Sequence, residues 1–148
     1  MDKPFVLLAD DNEATCTLIT ALLQSEFVVE VASDGGEAIE KLKSRQYAAI
    51  LLDLRMPHVD GYAVLDSLST ERADLLSRVI ILTAAVDARE MQRLGGYPVQ
   101  RIIAKPFEVD VLFHAVRQCA GGDDASTMRV PIISGGMLFL LAEVLRRV

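Results

Sequence analysis

The sequence predicts an α/β domain in which a parallel five-stranded sheet is covered by helices on both faces. Three observations predict it. Five short apolar runs alternate with segments of helical period. Several runs are continuously apolar, as strands buried on both faces require. Four of the five end in a polar or ionisable group, and open α/β sheets gather their functional side chains at the carboxyl ends of their strands.

The first run is Phe5-Val6-Leu7-Leu8-Ala9, followed by Asp10-Asp11-Asn12-Glu13 and a helix whose inner face is Leu18, Ile19, Leu22 and Leu23. The second is Phe27 to Ala32. Ser33-Asp34-Gly35-Gly36 then turns the chain and caps a helix marked by Ala38, Ile39 and Leu42. The third strand, Ala48 to Asp53, leads into a loop over Arg55 to Asp60 and a short helix over Gly61 to Leu68. Val79 to Thr83 is the fourth strand. A weaker helix over Asp87 to Leu94 is broken by Gly95, Gly96 and Pro98. Arg101 to Ala104 is the fifth strand and Val109 to Cys119 the last helix of the domain. Strand order does not follow from this pattern. Residues 1–120 thus read as one domain, 121–135 as a Gly- and Asp-rich linker, and 136–148 as an apolar helical tail with a basic end.

Composition narrows the function. A formal charge of -6, with no clustered Lys and Arg and no Trp, argues against a nucleic-acid surface and allows cationic ligands. No apolar run reaches the roughly 20 residues that span a bilayer. Met1-Asp2-Lys3-Pro4 leads directly into the first strand, with no secretory signal before it. Cys16 and Cys119 therefore read as reduced thiols of a cytoplasmic protein.

The strand ends carry the chemistry. They bring together Asp10 and Asp11, Asp53, Thr83 and Lys105. Three carboxylates held close repel one another, and a hard divalent cation such as Mg2+ relieves that repulsion. Phosphoryl transfer needs an in-line nucleophile and positive charge on the phosphoryl oxygens. Asp53 can be the nucleophile. Lys105 and Mg2+ supply charge, and Thr83 a hydrogen bond.

These residues resemble those of the receiver domain of two-component response regulators. The resemblance is carried by Leu7 to Glu13, Leu51 to Pro57 with Asp60-Gly61, Ile81 to Ala84, and Ala104-Lys105-Pro106-Phe107, in family order over about residues 4–120. It implies a flavodoxin-like sheet in the order 2-1-3-4-5 and a phosphoryl group accepted on Asp53. It further implies Mg2+ held by Asp10, Asp11, Asp53 and the backbone carbonyl of Arg55, with Thr83 and Lys105 on the phosphoryl group. The implied partners are a sensor histidine kinase or histidine phosphotransfer protein, and a downstream protein. Such a domain signals and is not an enzyme, beyond weak self-dephosphorylation. Two rivals fit less well. A haloacid-dehalogenase-type phosphatase needs Asp-x-Asp after the first strand, where this chain has adjacent Asp10-Asp11. A degenerate receiver that only binds protein would not need intact Asp53, Thr83 and Lys105.

Some positions depart from the receiver pattern. Ile102 stands where receivers often carry Tyr or Phe, so an aromatic swing cannot couple to Thr83. Gly95-Gly96-Tyr97-Pro98 replaces the usual turn, and Tyr97 reads as a surface residue. His58 reads as a turn residue and His114 as an exposed one. The tail's Met137, Leu138, Leu140, Leu141, Val144 and Leu145 are too apolar to stay exposed. They are expected to bury against the domain or to pair two chains as a homodimer.

Overall fold

The computed structural model describes residues 2–84 and 87–121. The linker and tail expectations fall on 121–148 and, Gly121 apart, lie outside the described residues. The elements alternate: β1 (Phe5–Ala9), α1 (Glu13–Leu23), β2 (Val28–Ala32), α2 (Gly35–Ser44), β3 (Ala49–Asp53) and α3 (Gly61–Glu71). A 3-10 helix (Ala73–Arg78), β4 (Val79–Thr83), α4 (Ala88–Leu94), β5 (Arg101–Ala104) and α5 (Val109–Cys119) complete the domain. All strand pairs are parallel and the order is β2-β1-β3-β4-β5. This is the flavodoxin-like order.

Burial explains why these strands were visible as runs. Every residue of β3 and β4 is buried, because both faces of the sheet are covered. On one face, Val6, Leu8, Leu51, Ile80 and Leu82 pack under α1 and α5, which present Leu18, Ile19, Leu22, Leu112 and Phe113. On the other, Leu7, Ile50, Leu52 and Ile81 pack under α2, α3 and α4 through Ala38, Leu42, Leu65, Leu68 and Leu94. β2 is half exposed because it is an edge strand.

Four helices are started by side chains that leave the carboxyl edge of the sheet. Asn12, Asp34, Asp60 and Asp87 each accept a hydrogen bond from a first-turn amide, at 2.8–3.0 Å. The sequence reading ends one helix early and misses another. α3 continues past Leu68 to Glu71, and the Ser69 and Thr70 hydroxyls donate to the carbonyls of Leu65 and Asp66 in that last turn. The 3-10 helix was not anticipated: Leu75 and Leu76 are adjacent and buried, too short a pattern to show a period.

Gly61 fixes the approach of α3 to the end of β3. Its amide donates to the Leu54 carbonyl at 3.0 Å. A Cβ there would press on the Asp53 carbonyl and stand 2.7 Å from the Leu54 Cα. Gly61→Ala is therefore expected to cost about 1–3 kcal/mol, the usual range for overpacking against backbone. A denaturant melt would check it, and an unchanged midpoint would mean that α3 can shift freely.

Candidate functional site

Strand register sets the site. Asp53 pairs with Leu82, Thr83 with Ala104, and Ala9 with Leu52, so the ends of β1, β3, β4 and β5 lie level along one edge. Asp10 follows β1 and Lys105 follows β5. Carboxylate oxygens of Asp10, Asp11 and Asp53 all lie within 4.8 Å of one another. Lys105 Nζ reaches between two of them, 2.9 Å from Asp10 Oδ2 and 3.6 Å from Asp53 Oδ2.

The members differ in exposure. Asp10 is 1% exposed and also accepts the Asn12 amide at 2.9 Å. Asp11 is exposed, at the mouth. Asp53 is buried and accepts the Arg55 amide at 3.2 Å. Thr83 is fully buried, and its hydroxyl has no hydrogen-bond partner among the described residues.

Burial pushes the Asp53 carboxyl above the usual carboxylate range. The charges of Asp10 and Asp11 add to this, against Lys105 and the Arg55 amide. For Lys105, burial alone would depress the ammonium. The hydrogen bond and charge of Asp10, with those of Asp53, outweigh it and hold the group above its ordinary value. The site is thus an acidic cleft with one ammonium for three carboxylates. That surplus of oxygen ligands suits a hard divalent cation. The unpartnered Thr83 hydroxyl suits an incoming anion, since a buried donor without an acceptor is costly.

Sequence reasoning named these residues, and the fold brings them together. The Arg55 side chain, by contrast, turns outward and pairs with Glu90 of α4 at 3.7 Å. His58 is an exposed turn residue with φ of 65°. His114 is a correction: it is half-buried, not exposed, because it sits between Phe113 and Ala115 on a helix packed against the sheet. Tyr97 is also half-buried, and its hydroxyl donates to Asp66 of α3 at 2.5 Å. Arg93 of α4 lies 3.6 Å over the ring of Tyr62. This seam between α3 and α4 was not foreseen. Ile102 is partly buried against the same core.

α1 and α5 do pack together, but their cysteines sit at opposite ends of the sheet. Cys16 donates to the Asp10 carbonyl after β1, and Cys119 to the Arg78 carbonyl before β4. Burial is the main cause that raises Cys16 to about 12 and Cys119 to about 11. Both thiols are therefore expected to resist iodoacetamide at pH 8 in the native protein. Cys16 would react about a thousandfold more slowly than a free thiol, by thiolate fraction. Mass after timed quenching reads the rate, and prompt labelling of either thiol would contradict this.

A flavodoxin-like sheet with an acidic cleft over its carboxyl edge is the class that fold and site define. The chain belongs to the response regulator receiver domain family, whose model matches residues 6–117. Solved structures agree. A receiver domain of a Francisella response regulator is 27% identical, with a TM-score of 0.71 over 81% of this chain and 98% of that one. The receiver domain of a sensor histidine kinase from Pseudomonas aeruginosa PAO1, with a magnesium ion coordinated in its active-site cleft, is also 27% identical. Its TM-score is 0.72, over 81% and 99% of the two chains. A chemotaxis response regulator of Vibrio cholerae, 22% identical, shares the fold with a TM-score of 0.70 over 80% and 99%. Receiver domains are in general signalling modules of two-component systems. No helix among the described residues is long and apolar enough to cross a membrane.

Proposed function

We propose that this domain, residues 1–120, accepts a phosphoryl group on Asp53 from a phosphohistidine of a sensor kinase or histidine phosphotransfer protein, and passes the change to a downstream protein. The reading places it in the cytoplasm. The observation that carries it is the convergence of three carboxylates, one buried ammonium and one unpartnered hydroxyl on a single sheet edge.

In this reading a carboxylate oxygen of Asp53 attacks phosphorus. The phosphorus–nitrogen bond of the donor breaks, its electron pair leaves with the imidazole, and an acyl phosphate forms. Lys105 stands 3.6 Å from Asp53 and neutralises charge on the transferred group. The Thr83 hydroxyl gains an acceptor. Mg2+, held by Asp10, Asp11, Asp53 and the Arg55 carbonyl, would supply further positive charge to the phosphoryl oxygens. With Ile102 in place of an aromatic, the signal must leave by another route. The Arg55–Glu90 pair ties the loop after Asp53 to α4 and offers one.

Incubation with acetyl phosphate and Mg2+ tests the proposal. Intact mass should rise by about 80 Da in a hydroxylamine-labile, Mg2+-dependent manner. No gain under conditions that phosphorylate another receiver would overturn it.

A further inference from the structure

The loop over Leu54 to Asp60 joins β3 to α3, and its start belongs to the acidic cleft. The Arg55 amide donates to Asp53 Oδ1 at 3.2 Å. Further along, the Val59 amide donates back to the Pro57 carbonyl at 2.7 Å, across His58 with its φ of 65°. A bond that closes over a single residue of positive φ makes a γ-turn of the rare, strained kind. A residue with a Cβ keeps such a conformation only where its surroundings impose it.

Here the surroundings include α2. The turn presents the Val59 carbonyl to the Gly35 amide, which donates to it at 2.7 Å. Gly35 is the first residue of α2, where an amide has no partner within its own helix. The contact is close as well as polar. A Cβ on Gly35 would stand 2.6 Å from the Val59 carbonyl oxygen, 2.8 Å from the Asp60 carbonyl oxygen and 2.8 Å from Val59 Cγ1. The two oxygens are backbone atoms, which no rotamer change can clear. The neighbouring glycine differs. A Cβ on Gly36 would meet Asp34 Oδ1 at 3.3 Å and Val59 Cγ2 at 3.7 Å, both on side chains. Of these two adjacent glycines, only Gly35 is pressed against the backbone of the loop.

We propose that Gly35 is a positioning residue for the acidic cleft: its amide and its bare Cα seat the Val59 carbonyl, brace the γ-turn, and so fix where Arg55 stands. This rests on the function proposed above, in which the Arg55 carbonyl is a ligand of Mg2+. A Cβ on Gly35 forces the loop back by about 0.5 Å or more, the tolerance within which a binding constellation must be held. Pro57, with its fixed φ, stiffens the stretch between Val59 and Arg55 and carries the displacement to the cleft.

The test compares full-length Gly35→Ala and Gly36→Ala, which make the same change of helix propensity in the same turn of α2. Calorimetric Mg2+ titration, amide exchange by NMR and phosphoryl uptake from acetyl phosphate are the measurements. In the parent, the Gly35 amide should be protected without metal and more so with Mg2+, because the coupling is reciprocal. Gly35→Ala should bind Mg2+ about 10-fold more weakly or worse, the scale for losing outer support of a ligand. Its Arg55 amide should exchange faster without metal. Its phosphorylation should be slow at low Mg2+ and recover as Mg2+ is raised, which a general loss of stability would not produce. Gly36→Ala should stay within about twofold of the parent. His58→Gly, added to Gly35→Ala, lets the loop yield at the turn and should return part of the affinity. Equal Mg2+ affinity in the two alanine variants would overturn the proposal. So would a parental Gly35 amide that exchanges as fast as an open first-turn amide, a result that stands even if Gly35→Ala does not fold. Either outcome in a parent that takes phosphate with Mg2+ sinks the positioning role alone. A parent that neither binds Mg2+ nor takes phosphate sinks the proposed function with it.

Discussion

Asp53→Asn protein, treated with acetyl phosphate and Mg2+, is expected to gain no phosphoryl mass and, metal-free, to melt higher than its parent. Loss of the acceptor follows from geometry. Asp53 is the carboxylate that ends the buried central strand within reach of both Lys105 and Asp10. The gain in stability follows from its environment. Burial, with Asp10 and Asp11, raises its folded pKa, so the ionised group disfavours the fold. That penalty is full above the raised pKa and fades as pH falls through it, since the carboxyl then protonates. An amide removes it. A stabilisation of about 0.5–2 kcal/mol near neutral pH is the usual scale for relieving such a site. It should shrink in acid and on adding Mg2+. Thermal melts at pH 5 and 7.5, with intact mass, measure both halves. A variant that still takes up phosphate at another residue would move the acceptor. A variant less stable than its parent at pH 7.5 would show that the Lys105 pairing outweighs the crowding.

Lys105→Met separates metal binding from phosphoryl transfer. Lys105 is the ammonium between Asp10 and Asp53, and its side chain is 8% exposed. Methionine keeps most of the stem and removes the charge. Breaking a buried pair from one side costs about 3–5 kcal/mol. Here Asp10 keeps its Asn12 amide, so the low end applies and the metal-free melt should fall by about 10 °C. Mg2+ affinity should rise, because a competing cation is gone, and Mg2+ should restore part of the lost stability. The phosphorylation rate should nonetheless fall about 100-fold, the scale for deleting one preorganised charge donor. Calorimetric titration, melting with and without Mg2+, and a mass time course distinguish these effects. A fall in metal affinity that tracks the fall in rate would show that Lys105 shapes the acid cleft instead of acting on the phosphoryl group.

The site was legible because it is written at strand ends. Buried parallel strands read as unbroken apolar runs, so Asp10, Asp53, Thr83 and Lys105 stood out as the polar residues that terminate them. Their mutual distances were not legible, and the strand order came from resemblance alone. Other features escaped because their signal is not local. Tyr97 meets Asp66 across 31 residues, and Arg93 covers Tyr62 across a similar gap. No periodicity announces such pairs. The 3-10 helix hid because two adjacent leucines carry no period. His114 was misjudged because a polar side chain can lie half-buried between Phe113 and Ala115 on an amphipathic helix.

The bond from Lys105 to Asp10 joins positions 95 residues apart. It exists only after β5 has paired with β4 at the sheet's edge, next to last among the elements in chain order. A ribosome releases Asp10, Asp53 and Thr83 well before Lys105, and long-range pairings of this kind form late. A nascent or half-assembled chain therefore carries an acidic strand end without its counter-charge and, on the function proposed above, would stabilise an acyl phosphate poorly. On that reading, competence to be phosphorylated efficiently reports that the chain has been made and folded at least through β5.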